Sequence, residues 1–212
     1  MSAAGAKETG LMSRNLRKFA APLVMSVALV GTLSGCLGLG GGKAPPTLMR
    51  LTAAQSAPAG TALSGKLGDA IVVLDPETDR SLAVTRIAVQ VDDSNVAYLA
   101  NAQWVERPAH LFAELVAETV RAGGKHLVFT ADQVATSGGT RLGGRLIEFG
   151  YDARGQAAVV RYDAVWTAPG GSVSTKRFEA RIPGVSAKPE SIGPALNRAA
   201  NQVAAQVAAW LG

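Results

Sequence analysis

Cysteine is nearly absent: Cys36 stands alone in 212 residues, and only two histidines, His110 and His126, accompany it. A zinc ion takes three or four protein ligands in fixed geometry, so no Cys/His zinc site can be assembled, and one cysteine closes no disulfide within the chain. Aromatic residues make up 5% and charged residues 17% of the chain. Lys7, Arg14, Arg17 and Lys18 against Glu8 carry +3 of the formal +5, and the remaining Lys and Arg are scattered singly between acids. Nucleic-acid binders gather cations on one stripe, because affinity grows with each phosphate neutralised; that class is excluded. No Gly-x-Ser-x-Gly elbow and no His-Glu-x-x-His occurs. Gly138-Gly139 and Gly143-Gly144 share only their glycine content with a dinucleotide fingerprint, and they read as loops or bulges. No apolar run reaches the roughly 20 residues that a membrane-spanning helix needs.

What is present begins with an address. Arg14-Asn15-Leu16-Arg17-Lys18 is a basic n-region, and Phe19 to Leu33 is an apolar h-region interrupted by Pro22, Ser26, Gly31 and Thr32. Met12, immediately before the n-region, is read as an alternative start. Leu33-Ser34-Gly35-Cys36 then matches the bacterial lipobox. Resemblance to lipoprotein precursors implies cleavage after residue 35, a diacylglyceryl thioether on Cys36 and acylation of the new amine with a palmitate-type chain. One acyl chain holds a bilayer marginally and several hold it almost irreversibly, at ~0.8 kcal/mol per buried methylene. Leu37 takes the place where aspartate would imply inner-membrane retention, which favours the outer membrane on the same resemblance. Residues 37–46 are rich in Gly and Pro and read as a flexible tether. They are no phosphate loop, because residue 37 is Leu where the first glycine belongs and Ala44 replaces the hydroxyl after Lys43. The organisation is thus a signal peptide over 1–35, a lipidated Cys36 with tether over 36–46, and one domain over 47–212.

In that domain Thr47–Thr52 and Asp69–Leu74 are short strand-like runs, and Leu82–Val91 alternates Ile87, Val89 and Val91 with Arg86, Ala88 and Gln90, the period of a half-buried strand. Asp92-Asp93-Ser94-Asn95 breaks it; as a solvated turn it lacks the six or so oxygens a hard cation asks for. Val96–Val105 leads into Pro108, well placed in the first turn of a helix. Leu111, Phe112, Leu115, Val116 and Val120 then recur at helical spacing up to Gly123-Gly124. A short apolar run, Leu127–Thr130, precedes a three-strand antiparallel meander with turns at Asp152–Gly155 and Pro169–Ser172. In its middle strand Ala158, Val160, Tyr162, Ala164 and Trp166 share one face and Arg161 and Asp163 the other. Its third strand sets Phe178, Ala180 and Ile182 against Arg177, Glu179 and Arg181, so one face is covered and the other is wet or meets a partner. Ile192, Leu196, Ala199, Val203, Val207 and Trp210 trace the apolar stripe of a C-terminal helix starting near Pro189–Pro194. The fold class is α+β. His110 at a helix start and His126 at a strand start read as structural residues, because a general base needs an orienting partner. Tyr98 and Trp104 are the aromatics with no clear place in a core.

The lipobox, the tether, Val96-Ala97-Tyr98-Leu99 followed by Gln103-Trp104-Val105-Glu106-Arg107-Pro108 and a helix, the long meander and the Ala-rich last helix together resemble the ABC-type transport auxiliary lipoproteins. Tyr98, Trp104, Glu106 and Pro108 fit the family's pattern; Arg107 separates acid from proline and departs from it. The resemblance implies a domain similar to the TolB N-terminal domain, a mixed β-sheet with an antiparallel meander and two packed helices. It implies a non-catalytic outer-membrane lipoprotein of a Gram-negative cell envelope, facing the periplasm and requiring no cofactor. Its expected partners are an MCE-domain protein with an ABC permease and ATPase, which move phospholipid or other hydrophobic molecules, and the membrane through its acyl chains. Tyr98 and Trp104 are the expected partner or ligand contacts, and self-association stays open. Two other readings stand beside this one. A TolB-like lipoprotein could regulate a peptidoglycan synthase, and a lipoprotein hydrolase is disfavoured by the missing nucleophile–base motif.

Overall fold

The computed structural model describes residues 47–133 and 139–212; the signal peptide, Cys36, the tether and Gly138 lie outside the described residues. In chain order the elements are β1 (Thr47–Met49), a 3-10 turn (Leu67–Asp69), β2 (Ile71–Val73), β3 (Arg86–Gln90), β4 (Val96–Trp104), α1 (Pro108–Ala122), β5 (Val128–Thr130), β6 (Thr140–Asp152), β7 (Ala157–Thr167), β8 (Val173–Ile182) and α2 (Pro189–Leu211). The α+β expectation holds as one mixed eight-stranded sheet with two helices. No helix among the described residues is long and apolar enough to cross a membrane.

β6 organises the sheet. Along one edge it pairs antiparallel with β7, which pairs antiparallel with β8, giving the expected meander. Its other edge serves two separate branches, for which a strand of about 40 Å leaves room. Thr140–Leu142 pair in parallel with β2, whose far side carries β5, also in parallel. Gly150–Asp152 pair in parallel with β3, which pairs antiparallel with β4, and β4 in turn pairs in parallel with β1. Between the branches Glu77 keeps the edge occupied, its N–H donating to Gly144 O and its carbonyl accepting from Leu146 N.

Both helices cover one face of this sheet. The α1 side chain Phe112 meets Tyr162 and Phe149 edge-on at 5.1 and 6.3 Å, and on α2 Trp210 meets Phe178 at 5.7 Å. The predicted stripes are the buried ones: Phe112, Leu115, Val116 and Val120 on α1, and Ile192, Leu196, Ala199, Val203 and Val207 on α2. Pro108 and Pro189 occupy the first turns, where a missing N–H costs nothing. The Leu82–Val91 run is shorter than the alternation predicts. Only Arg86–Gln90 forms the strand, Val91 is exposed, and Ala88, expected outward, is buried against a partner strand that offers Gly150 opposite it.

One glycine is required where two strands meet. Gly144 sits in β6 at φ +126°, and a Cβ there would lie 2.0 Å from the carbonyl oxygen of Asp163 on β7. A side chain would therefore push β7 off β6 at the middle of the meander. Gly143 and Gly144 thus belong to a strand, and Tyr162 uses the neighbouring Gly143 carbonyl as the acceptor for its buried hydroxyl. Burial holds that hydroxyl protonated far into the alkaline range.

Candidate interaction site

The two aromatic residues expected at a contact part company. Trp104 ends β4 with its ring 1% exposed and edge-on to Phe149 at 5.3 Å. A docked protein cannot touch it, and its role as a partner contact is corrected to a core role. Parallel pairing of β1 with β4 closes over this position by setting Met49 opposite Trp104, an arrangement the local sequence does not announce. Its indole Nε1 is buried without a hydrogen-bond partner among the described residues. Tyr98 remains half-exposed, its ring beneath the Arg86 guanidinium at 4.2 Å and its hydroxyl donating to Ser81 O at 3.3 Å. A cation over an aromatic face steadies both groups, leaving Tyr98 available at the surface. Cys36 lies outside the described residues.

The face of the meander without helices is a lattice of ion pairs. Arg161 donates from Nε to Glu179 Oε2 at 2.6 Å and lies 3.1 Å from Glu148 Oε2; Arg177 holds both carboxylate oxygens of Asp163 at 2.5 and 2.6 Å; Arg181 reaches Asp152 at 2.6 Å. Asp163 is directly opposite Arg177, and Arg161 is opposite both Glu179 and Glu148, whereas Arg181 on β8 reaches Asp152 on β6 across β7. Cross-strand pairs of this kind add a little stability and fix register. The hydrogen bonds from Arg177 and Arg181 hold the carboxyls of Asp163 and Asp152 below their ordinary range. Glu148 goes the other way, because burial outweighs the attraction of Arg161 and raises its carboxyl. The sequence placed Arg161, Asp163, Arg177, Glu179 and Arg181 on this face but not in pairs. Counting equally back from the 168–172 turn would have matched them.

At one end of this face a groove of about 530 Å³ is floored by Gly143, Gly144, Leu74 and Val165 and bordered by Arg141, Arg145 and Glu77. Asp75 also lines it and faces His110 on α1, whose Nδ1 lies 3.3 Å from both carboxylate oxygens. That gives His110 an orienting acid, a partner its sequence position did not reveal. A second groove of about 420 Å³ runs between Met49, Arg50 and Thr52 after β1 and Pro189, Glu190, Gly193, Pro194 and Asn197 on α2. Gly193 keeps it narrow, since a Cβ there would stand 2.9 Å from Met49 Sδ. His126 lines a third cleft of about 230 Å³ with Pro58, Leu63 and Leu127. Asp92 is the solvated turn expected, its Oδ1 accepting from the N–H groups of Ser94 and Asn95 at 2.9 and 3.0 Å.

β8 completes the surface. Among the described residues it pairs only with β7, and its first five residues, Val173 to Arg177, are exposed. The molecule is thus an α+β domain with an apolar face sealed by helices, a charged face in water and an open sheet edge. The chain belongs to the ABC-type transport auxiliary lipoprotein component family, whose model matches residues 50–208. Membership makes it an auxiliary lipoprotein component of ABC-type transport, anchored in the cell envelope; components of this family are typically non-catalytic. No curated protein matches the chain. Among solved structures, a Xanthomonas campestris protein assigned to DUF330 is similar at TM-score 0.66 and 18% identity, over 78% of this chain and 94% of that one. A crystal structure described as an uncharacterized protein gives 0.62 and 14%, over 79% and 99%. A PelC dodecamer from Paraburkholderia phytofirmans gives only 0.37 and 16%, over 68% and 92%, which carries no argument. Likeness at these identities is a likeness of fold.

Proposed function

We propose that the chain is lipidated at Cys36, held in the outer membrane facing the periplasm, and docks an MCE-domain protein whose ABC permease and ATPase move phospholipid or another hydrophobic molecule. It performs no chemistry itself. The observation that supports docking best is the β8 edge: ten residues long, paired among the described residues on one side only, with exposed residues over its first half. A strand of the partner added there satisfies its free N–H and C=O groups and places side chains along the charged face. Lys176 and Arg177 on that edge discourage pairing between copies and favour an acidic partner strand. Tyr98, half-exposed on the other branch of the sheet, is a second contact in this reading.

The test is purification of the tagged, lipidated chain from native membranes in mild detergent, with its protein companions identified by mass spectrometry. Recovery of an MCE-domain protein with its permease supports the proposal, and Lys176→Glu should then lower that recovery without changing the body's melting temperature. Recovery of a peptidoglycan synthase without those components would replace the transport reading by the regulatory one.

A further inference from the structure

We propose that the β1 end of the body lies against the bilayer that holds its own anchor, with Leu48 and Val105 in the lipid interface. The inference rests on lipidation at Cys36. Ten residues separate Cys36 from Thr47, the first residue of β1. Fully extended they reach about 35 Å, so the chain enters the body within that distance of the membrane surface, and it enters at β1.

What stands at that entry point is apolar and cationic. Leu48 is 60% exposed, the most exposed large apolar side chain among the described residues, and Val105, 41% exposed, belongs to the backbone that hydrogen-bonds Met49 O through its N–H at 2.8 Å. Arg50 follows two positions after Leu48, while Met49 between them points to the opposite face, into the groove against α2 that Arg50 and Glu190 also line. An exposed apolar patch with a cation at its rim is the composition of a membrane-contact surface: the apolar groups enter the headgroup boundary and the arginine meets lipid phosphate. Isolated exposed apolar residues elsewhere need no such explanation. Val96, at the far end of β4, is 44% exposed but stands seven positions along β4 from Gln103, the register partner of Leu48, which is roughly 24 Å of strand. The anchor alone leaves orientation free; this contact fixes it and turns the β3–β4 and β6–β7 turns away from the bilayer.

Because Cys36 is the chain's one cysteine and lipidation consumes its thiol, Leu48→Cys creates a single labelling position without touching the core. The full-length lipidated variant is labelled with an environment-sensitive fluorophore and reconstituted into vesicles of phosphatidylethanolamine and phosphatidylglycerol, with and without brominated acyl chains. A Val96→Cys variant is treated in parallel. The expected result is a blue-shifted emission at 48 that loses most of its intensity to brominated lipid, while 96 is not quenched. Equal quenching at the two positions, or none at 48 in protein that still floats with the vesicles, overturns the orientation while leaving lipidation intact. A label at 48 shielded from aqueous quenchers yet untouched by brominated lipid means that another protein chain covers it, which also overturns the proposal. Protein that fails to float and lacks the acyl mass on Cys36 removes the lipoprotein reading and this inference together.

Discussion

The two faces of the β6–β7–β8 meander are built from the same three strands by alternating residues, yet they are held by different physics. On the covered face Leu142, Leu146, Tyr162, Ala164 and Phe178 are at most 3% exposed and meet two helices. On the open face arginines and carboxylates meet one another at the surface, Arg161, Glu148, Asp152 and Asp163 half-buried and Arg177, Glu179 and Arg181 exposed. Burying a large side chain stabilises by about 1.5–3 kcal/mol, whereas an exposed ion pair contributes about 0–1. The stability of the domain therefore lies on one face, and the other can change its charges at small cost, which is what a surface selected for recognition needs.

That contrast can be broken most severely from within. Trp104→Ala should cost about 3–5 kcal/mol, seen as a lower denaturant midpoint, and any loss of partner recovery should track that unfolding. A fully folded Trp104→Ala variant that had lost its partner would instead restore the residue to an interface. Gly144→Ala comes next. At φ +126° and with the Asp163 carbonyl in the way, it should cost more than the roughly 1 kcal/mol at which a Gly-to-Ala exchange ordinarily acts, and amide exchange should quicken along β7 first.

Smaller effects come from the open face and carry a pH signature. Removing the cation in Arg161→Gln leaves the half-buried Glu148 without its nearest counter-charge. The folded carboxyl then rises further above its unfolded value, so the loss of stability should be largest near neutral pH and shrink as acid protonates Glu148; urea titrations at pH 7 and pH 4 compare the two. Asp152 and Asp163 have the opposite sign. Their folded carboxyls are lowered by Arg181 and Arg177, so their contribution is present above the unfolded carboxylate range and is lost as pH falls through the folded values. Asp152→Asn should flatten the acid limb of the stability curve. The smallest expected change in stability is that of Lys176→Glu, for which partner recovery is the informative readout.

How much of this could be read beforehand depended on how far apart the interacting residues lie. The meander, both helices and the inward sides of β7 and β8 follow from alternation, helical spacing and turns, all local signals. The parallel pairings of β1 with β4 and of β2 and β3 with β6 are long-range, and no local pattern reports them. Trp104 was misread for that reason: its buried ring meets Phe149 on β6, forty-five residues later. His110 gained its acid from a loop that sequence alone keeps remote.

The double use of one β6 edge sets an order of assembly. β2 and β3 precede β6 by some fifty residues or more, and neither has its β6 partner until the meander strand arrives, so closing those loops comes before the contacts that reward it. The C-terminal meander, whose contacts are nearer in sequence, closes at lower loop entropy, and β1 depends on β4 rather than on β6. Export delivers the chain in the reverse direction, N-terminus first. β2 and the β6-facing edge of β3 therefore wait for the last third of the polypeptide to emerge, while β1, β4 and β3 already have one another.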